Sequence, residues 1–254
     1  MDAEQGVGMI TVITPTRDRK IPMALCERWV AHQTVQPDQW LVIDDGEFPL
    51  DPPPNGADYI RREPGPGDPK HTLNLNIFTM IPRIAGDKII VFEDDEYYAP
   101  GYIETMAKRL DEYALVGIGW SKYYHLPSGG YARHANVAHA SFAQTAFRRE
   151  VLPVVRTLAA VESQHYLDVR LWTKFGGAII AAHGPGGWER KIGEEAIVFD
   201  DHEVPLYCGM KGLPGCPGIG IGHKQTHYKT FDTDLSVLRS WVPKDHGVYY
   251  DYRT

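Results

Sequence analysis

The stretch KIIVFEDDEYYAP, Lys88 to Pro100, places four consecutive acids, Glu93 to Glu96, directly behind an apolar run. The run reads as a buried strand. Four adjacent carboxylates repel one another, and a plain solvated charge run would sit at lower cost in a loop. If the strand continues through the acids, alternate carboxylates point the same way. Such a pair can hold Mg²⁺ or Mn²⁺, hard cations that favour oxygen ligands and keep positions open for phosphate oxygens. The bland alternative is a solvated strand end whose acids favour the N-terminus of the following helix.

Outward from this stretch, the chain alternates strand and helix. MITVIT (9–14) is a short β-branched run ended by Pro15, and IPMALCERWVAHQ (21–33) has apolar residues at helical spacing. QWLVIDDG (39–46) is a second buried strand, and DYIRR (58–62) is a third, short one. TLNLNIFTMI (72–81) and GYIETMAKRLDEY (101–113) read as helices, the latter opened by Pro100. This order predicts an α/β fold with an open, mostly parallel sheet covered by helices on both faces.

Beyond residue 113 the pattern is mixed. ALVGIGW (114–120) and NVAHASFAQTAF (136–147) are candidate strands, and REVLPVVRTLA (149–159) and HYLDVRLWTKFG (165–176) are candidate helices. Past residue 183 the chain reads as a loop-rich extension, with GMKGLPGCPGIGIGHK (209–224) its most glycine-dense part. No internal repeat or long linker divides the 254 residues. The expectation is one domain over 1–254, with halves at about 9–113 and 114–254.

Composition is that of a globular protein, 43% hydrophobic and 23% charged, with a formal net charge of −7. The acidic balance gives no global electrostatic footprint for nucleic acid. No apolar run approaches the roughly 18 residues of a membrane helix, and the N-terminus lacks the marks of a secretory signal. Three cysteines, Cys26, Cys208 and Cys216, suit a reducing compartment better than a disulfide framework. These features predict an intracellular protein without membrane insertion.

Three strand ends carry polar residues: TPTRDR, DDG and EDDE. Open α/β sheets bind ligands outside the carboxyl ends of their strands. Taken together, ITVITPTRDR, WLVIDDG and VFEDDEYYAPGYIE resemble the nucleotide-sugar half of a GT-A glycosyltransferase of the family 2 type. That resemblance implies a Rossmann-like sheet, a nucleotide-sugar donor (foremost a UDP-sugar) and a divalent cation, Mn²⁺ or Mg²⁺. It places Thr14, Pro15, Thr16, Arg17, Asp44 and Asp45 at the nucleoside and Glu93 and Asp94 at the donor. Asp95 ligates the cation, and Glu93 aligns with the first acid of the Asp-x-Asp motif, where this chain has Glu in place of Asp.

The resemblance extends to HYLDVRLW, which is similar to the family's Glu-Asp-x-x-Leu-Trp stretch. Asp168 stands three residues before Leu171-Trp172 and matches the general base of inverting enzymes, with Leu167 replacing the preceding Glu. The competing reading is an exposed helical Asp paired with a nearby base. In the glycine-rich tail, backbone N–H groups can approach phosphate oxygens, with Lys211, Lys224 and His227 near the diphosphate. His223 matches the late metal-ligating His of GT-A enzymes.

Several alternatives stay open on sequence. Cys208, Cys216, His223 and His227 form a two-Cys, two-His set that zinc accepts, although the spacing is not that of a finger. A nucleotidyltransferase would have a similar sheet, but TPTRDR lacks its glycine-rich signature. A non-catalytic nucleotide-sugar-binding module would need neither the acids at 93–96 nor Asp168. The acceptor hydroxyl belongs to a glycan or, as in phage-type modifying enzymes, to a hydroxymethylated base in DNA. The DNA reading draws on the aromatic-rich 120–139 stretch with Arg61, Arg62, Arg148 and Arg149.

Overall fold

The computed structural model describes residues 8–161, 165–178, 188–201, 205–218 and 220–253. In chain order the elements are β1 (Ile10–Thr16), α1 (Lys20–Ala31), β2 (Gln39–Asp44), β3 (Asp58–Arg61), α2 (Leu73–Met80) and β4 (Lys88–Val91). Then come β5 (Tyr97–Tyr98), α3 (Tyr102–Arg109), β6 (Leu115–Ile118), β7 (Trp120–His125), β8 (Gly130–Ala135) and β9 (Thr145–Arg148). The last are α4 (Leu152–Ala159), α5 (Leu167–Lys174), β10 (Glu189–Ile192), β11 (Ala196–Phe199), β12 (Tyr207–Lys211), β13 (Thr230–Phe231) and α6 (Ser236–Trp241).

The large sheet has the order β10-β11-β6-β9-β4-β1-β2-β3. β1 runs parallel to β2 and β4, β2 to β3, and β11 to β6, while β9 opposes both β4 and β6 and β10 opposes β11. Successive strand residues face opposite sides, and the two cores follow that alternation. Val12, Val42 and Ile90 join the core under α1 and α3; Ile13, Leu41, Ile89 and Val91 join the core under α2, α4 and α5. The fold is α/β, a mostly parallel sheet flanked by helices, as the strand-helix alternation predicts.

A second sheet, β13-β8-β7-β12-β5, stands beside the first. The aromatic-rich 120–139 stretch forms the β7–β8 hairpin, and the glycine-dense 209–224 segment, expected to be loop, begins with the buried strand β12. The tail past 183 is likewise less loop-like than expected, since β10, β11 and α6 fall in it. Part of HGPGGWERKIGEE lies outside the described residues.

β4 ends at Val91, so the acids do not continue a strand and do not alternate in direction. They occupy a turn, closed by Glu96 N–H donating to Glu93 O (3.3 Å). β5 follows at once and pairs antiparallel with β12. The turn therefore bridges the two sheets, and helix α3 begins only at Tyr102. Among the described residues, no helix is long and apolar enough to cross a membrane.

Candidate active site

The parallel strands carry residues of the motifs to one edge: Thr16 of β1 lies level with Asp44 of β2, which lies level with Arg61 of β3. Beside that edge is a cleft of about 400 Å³. Its walls include the β1 loop (Pro15, Thr16, Arg17, Arg19), the acid turn, the segment leading into α2, the start of α5 and the glycine-rich segment after β12.

The acid turn is held from several directions. Glu93 N–H donates to Tyr98 Oη (2.8 Å), and the Tyr98 ring stacks on Phe92 at 3.8 Å. Thr16 Oγ1 donates to Asp94 Oδ2 (2.5 Å), and Arg19 Nη1 contacts Asp94 Oδ1 at 2.6 Å and Asp95 Oδ1 at 3.2 Å. Glu96 is paired with Lys211 Nζ and accepts Met210 N–H (2.8 Å). Three of the four acids, Asp94, Asp95 and Glu96, thus have a cation or donor of their own. Among the described residues, no hydrogen-bond donor meets the Glu93 carboxylate.

These contacts set the protonation of the turn. Burial first, and then the Asp95 charge, push the Glu93 carboxyl up to about 7. Burial also opposes ionisation of Asp95, but Arg19, Lys211 and His223 outweigh it and hold that carboxyl below its ordinary value. Burial works against the Lys211 ammonium as well; Glu96 and Asp95 overcome it and keep the lysine charged. His223 Nε2 lies 3.8 Å from Asp95 Oδ2. Burial, followed by repulsion from Lys211, pushes the imidazole down to about 4, so it is neutral at pH 7 with a free lone pair.

Ligand atoms of Glu93, Asp95 and Glu96 lie within 4.8 Å of one another, the one group of this kind among the described residues. Both Glu96 oxygens are already engaged. That leaves Glu93, the free face of Asp95 and the neutral His223 as donors for a cation. Two carboxylates and an imidazole suit Mn²⁺ or Mg²⁺, and a half-buried carboxylate that meets no hydrogen-bond donor is the feature a cation would resolve.

Asp168 enters from the opposite wall. It sits in the first turn of α5, one turn above the fully buried Trp172, whose Nε1 donates to Thr145 Oγ1 (3.2 Å). Leu171 and Trp172 fix the helix in the core, and residues four apart lie on one face. Asp168 is thereby aimed along the sheet edge into the cleft. Burial raises its pKa, with the Val169 N–H and His139 pulling the other way. The exposed, paired helical Asp of the competing reading is not what the structure shows.

Of the residues singled out in the sequence, Pro15, Thr16, Arg17, Glu93, Asp94, Asp95, Asp168, Lys211 and His223 all line the cleft. Four donor-side assignments need correction. Thr14 is two residues deeper in β1, completely buried, and accepts the Trp40 indole N–H (3.0 Å). Asp44 is spent on the β2–β3 loop, accepting from Gly46 N, Leu50 N and Tyr59 Oη at 2.7–2.9 Å. Asp45 pairs with Arg62 and accepts from Asn76 Nδ2 (2.9 Å), so it reaches the cleft only through Asn76, which does line it. Lys224 is exposed and outside the cleft wall.

The two-Cys, two-His zinc set does not assemble. Cys208 is buried in the core while Cys216 is exposed, and His227 Nε2 faces His134 Nε2 at 3.0 Å. The proposed arginine groove also dissolves. Arg148 lies level with Lys88, where β4 begins, whereas Arg61 ends β3 at the opposite edge. Arg61 and Arg62 are already paired with Asp44, Glu63, Asp45 and Asp68.

Sequence reasoning missed Arg19, Lys70, His71, Asn76 and Tyr166 in the cleft, while Tyr123 of the aromatic-rich 120–139 stretch does line it. For Arg19 the signal was present: TPTRDR offers two arginines, and the tight turn at Asp18 (φ 50°) sends the second one toward the acids.

Neither a family model nor a curated protein sequence matches the chain. Among solved structures, S. aureus TarS 1–349 superposes with a TM-score of 0.50 at 13% identity, over 80% of this chain and 60% of that one. The same fragment in complex with UDP-GlcNAc gives 0.49 at 13% identity, over 80% and 58%. A mycobacterial protein gives 0.42 at 16% identity over 63% of each chain. The chain spans about 60% of the TarS fragment and 36% of the longer TarS chain. At such identities the likeness speaks for the fold, which is GT-A-like.

Proposed function

We propose that the protein is a metal-dependent glycosyltransferase that moves a sugar from a nucleotide-sugar, foremost a UDP-sugar, to an acceptor hydroxyl. One observation carries this reading: a single cleft is faced by a half-buried carboxylate in the acid turn that meets no hydrogen-bond donor, by a half-buried carboxylate on helix α5, and by a glycine-rich segment. A binding module would need none of the three together. A divalent cation held by Glu93, Asp95 and His223 would supply positive charge against the diphosphate and act as a Lewis acid as it leaves.

The chain's own groups account for the remainder. Arg17 and Lys70 stand at the cleft and offer charge to the donor's phosphates. Asp168, made more basic than an ordinary carboxylate by burial, takes the proton of the acceptor hydroxyl. The hydroxyl oxygen bonds to the anomeric carbon as the bond from that carbon to the diphosphate oxygen breaks. Attack from the side opposite the leaving group gives inversion.

For the acceptor, the dispersal of Arg61, Arg62, Arg148 and Arg149 favours a glycan over DNA. Polyanion binding draws on clustered cations, and these four are separated or internally paired.

A thermal-shift screen with UDP, GDP, CDP and ADP, each with and without Mn²⁺, tests the donor reading. Ligand that binds only the folded state raises its apparent stability. The expected result is a shift with one nucleoside diphosphate, dependent on Mn²⁺. No shift with any of them at millimolar concentration would remove the reading.

A further inference from the structure

We infer that Arg19 is a positioning residue that ties the glycine-rich segment after β12 to the acid turn, so that the cation site and the cleft wall form as one unit. The inference rests on the reading of the acid turn as a cation site.

The Arg19 guanidinium reaches in two directions. Nη1 contacts one oxygen of Asp94 and one of Asp95, while Nε donates to the Cys216 carbonyl at 2.7 Å. Cys216 N–H returns a hydrogen bond to Asp18 O (3.3 Å). Between them the two segments, almost 200 residues apart in sequence, are stitched side by side.

Gly215 makes that approach possible. It adopts φ +125°, and a Cβ there would stand 2.8 Å from Asp18 O. No larger residue fits without moving one backbone from the other.

The consequence for the site is orientational. Arg19 holds Asp95 Oδ1, which leaves Oδ2 turned toward His223. His223 belongs to the same C-terminal stretch that Arg19 anchors at Cys216. A planar guanidinium can serve a carboxylate and a carbonyl at once; an ammonium is a point charge and cannot reproduce the fork.

Charge alone and positioning predict opposite signs. A guanidinium beside Asp95 repels a divalent cation. If Arg19 were only a counter-charge, Arg19→Gln would tighten Mn²⁺ binding. If it positions Asp95 and the segment, Arg19→Gln would weaken it.

The test is Mn²⁺ titration of the nucleotide-free protein by calorimetry, with hydrogen exchange of residues 212–218 read by mass spectrometry. Arg19→Gln is expected to weaken Mn²⁺ by about tenfold or more, the scale of losing a group that orients a ligand. It should also speed exchange in 212–218 while β1 and β2 stay protected. Arg19→Lys should restore neither. Gly215→Ala, which keeps every side chain of the site, should reproduce both effects and serves if Arg19→Gln fails to fold. Mn²⁺ bound equally or more tightly by Arg19→Gln, exchange left unchanged, or full rescue by Arg19→Lys would each overturn the inference. Absence of Mn²⁺ binding in the unaltered protein would instead strike the cation reading, and the exchange measurement would still judge Arg19.

Discussion

His223 Nε2 stands 3.8 Å from Asp95 Oδ2, and the imidazole is held neutral at pH 7 by burial and by Lys211. The pair is therefore not an ion pair. It is a carboxylate and a neutral imidazole nitrogen converging on one volume, an arrangement that suits a shared cation. His223→Ala should weaken nucleoside diphosphate binding by about tenfold or more in the presence of Mn²⁺, and leave any metal-free binding unchanged. Cys216→Ser, on the same segment, should be mild because its exposed thiol meets only the Pro217 carbonyl, at 4.0 Å. Titration calorimetry with and without chelator separates these outcomes. Equal losses with and without Mn²⁺ would place His223 on the nucleotide instead.

Asp95→Ala should abolish Mn²⁺-dependent diphosphate binding while the protein still folds. The residue is one of four crowded acids, and its removal relieves repulsion on Glu93 and Glu96 as it deprives Arg19 of one contact. Circular dichroism should therefore match the unaltered protein. Full turnover of the variant in the presence of chelator would end the metal reading.

The protonation of Glu93 gives a pH signature. Its folded-state pKa of about 7 lies above the ordinary carboxyl value, so below pH 7 a cation must displace a proton to bind. Mn²⁺ affinity should rise by up to about tenfold per pH unit between 5 and 7 and then level off. In the metal-free protein the sign for stability is the reverse. The folded state holds the proton more tightly than the unfolded chain, so this group's contribution falls as pH rises from the ordinary value toward 7. Mn²⁺ should cancel that fall. Glu93→Gln should flatten both curves, and unchanged curves in this variant would assign the titration elsewhere.

Asp168→Asn should leave donor affinity nearly intact and cut turnover by about 10²–10⁴-fold, the usual contribution of a general base. The amide keeps the shape of the side chain but cannot accept the proton. Donor affinity is read by calorimetry and turnover by nucleoside diphosphate release. A loss of donor affinity as large as the loss of rate would move Asp168 to the donor side.

What the sequence made legible follows from how local each signal is. β1 and β2 were readable because a short, continuously apolar run is what a strand buried on both faces requires. Asp168 stood out through the resemblance of HYLDVRLW to the Glu-Asp-x-x-Leu-Trp stretch, and its place at the cleft follows from the helix that Leu171 and Trp172 fix. The turn at 93–96 was not legible because β5 begins at the very next residue, Tyr97, in a different sheet, and its pairing with β12 is a long-range fact. Asp44 and Thr14 were misassigned because a motif marks a strand end without saying which side chain the loop consumes. Arg19 was missed because its role depends on Cys216 O, far along the chain.

Tyr166 offers the last test, on the acceptor side. It is 63% exposed, lines the cleft and immediately precedes the helix that carries Asp168. Its backbone is left-handed, φ 60° and ψ 57°, a conformation that costs a non-glycine residue about 1–2 kcal/mol. A ring kept in the open at such a position has a reason to be there, and stacking against a sugar face beside the base is the use the geometry supports. Tyr166→Gly removes the ring and the strain together. It should keep or raise the melting temperature, leave Mn²⁺-dependent UDP affinity unchanged and raise the acceptor KM. Tyr166→Phe should restore the KM, since stacking needs the ring and not the hydroxyl. A Tyr166→Gly enzyme with unaltered acceptor KM, or one that loses stability in proportion to its activity, would reduce Tyr166 to an element of the loop's structure.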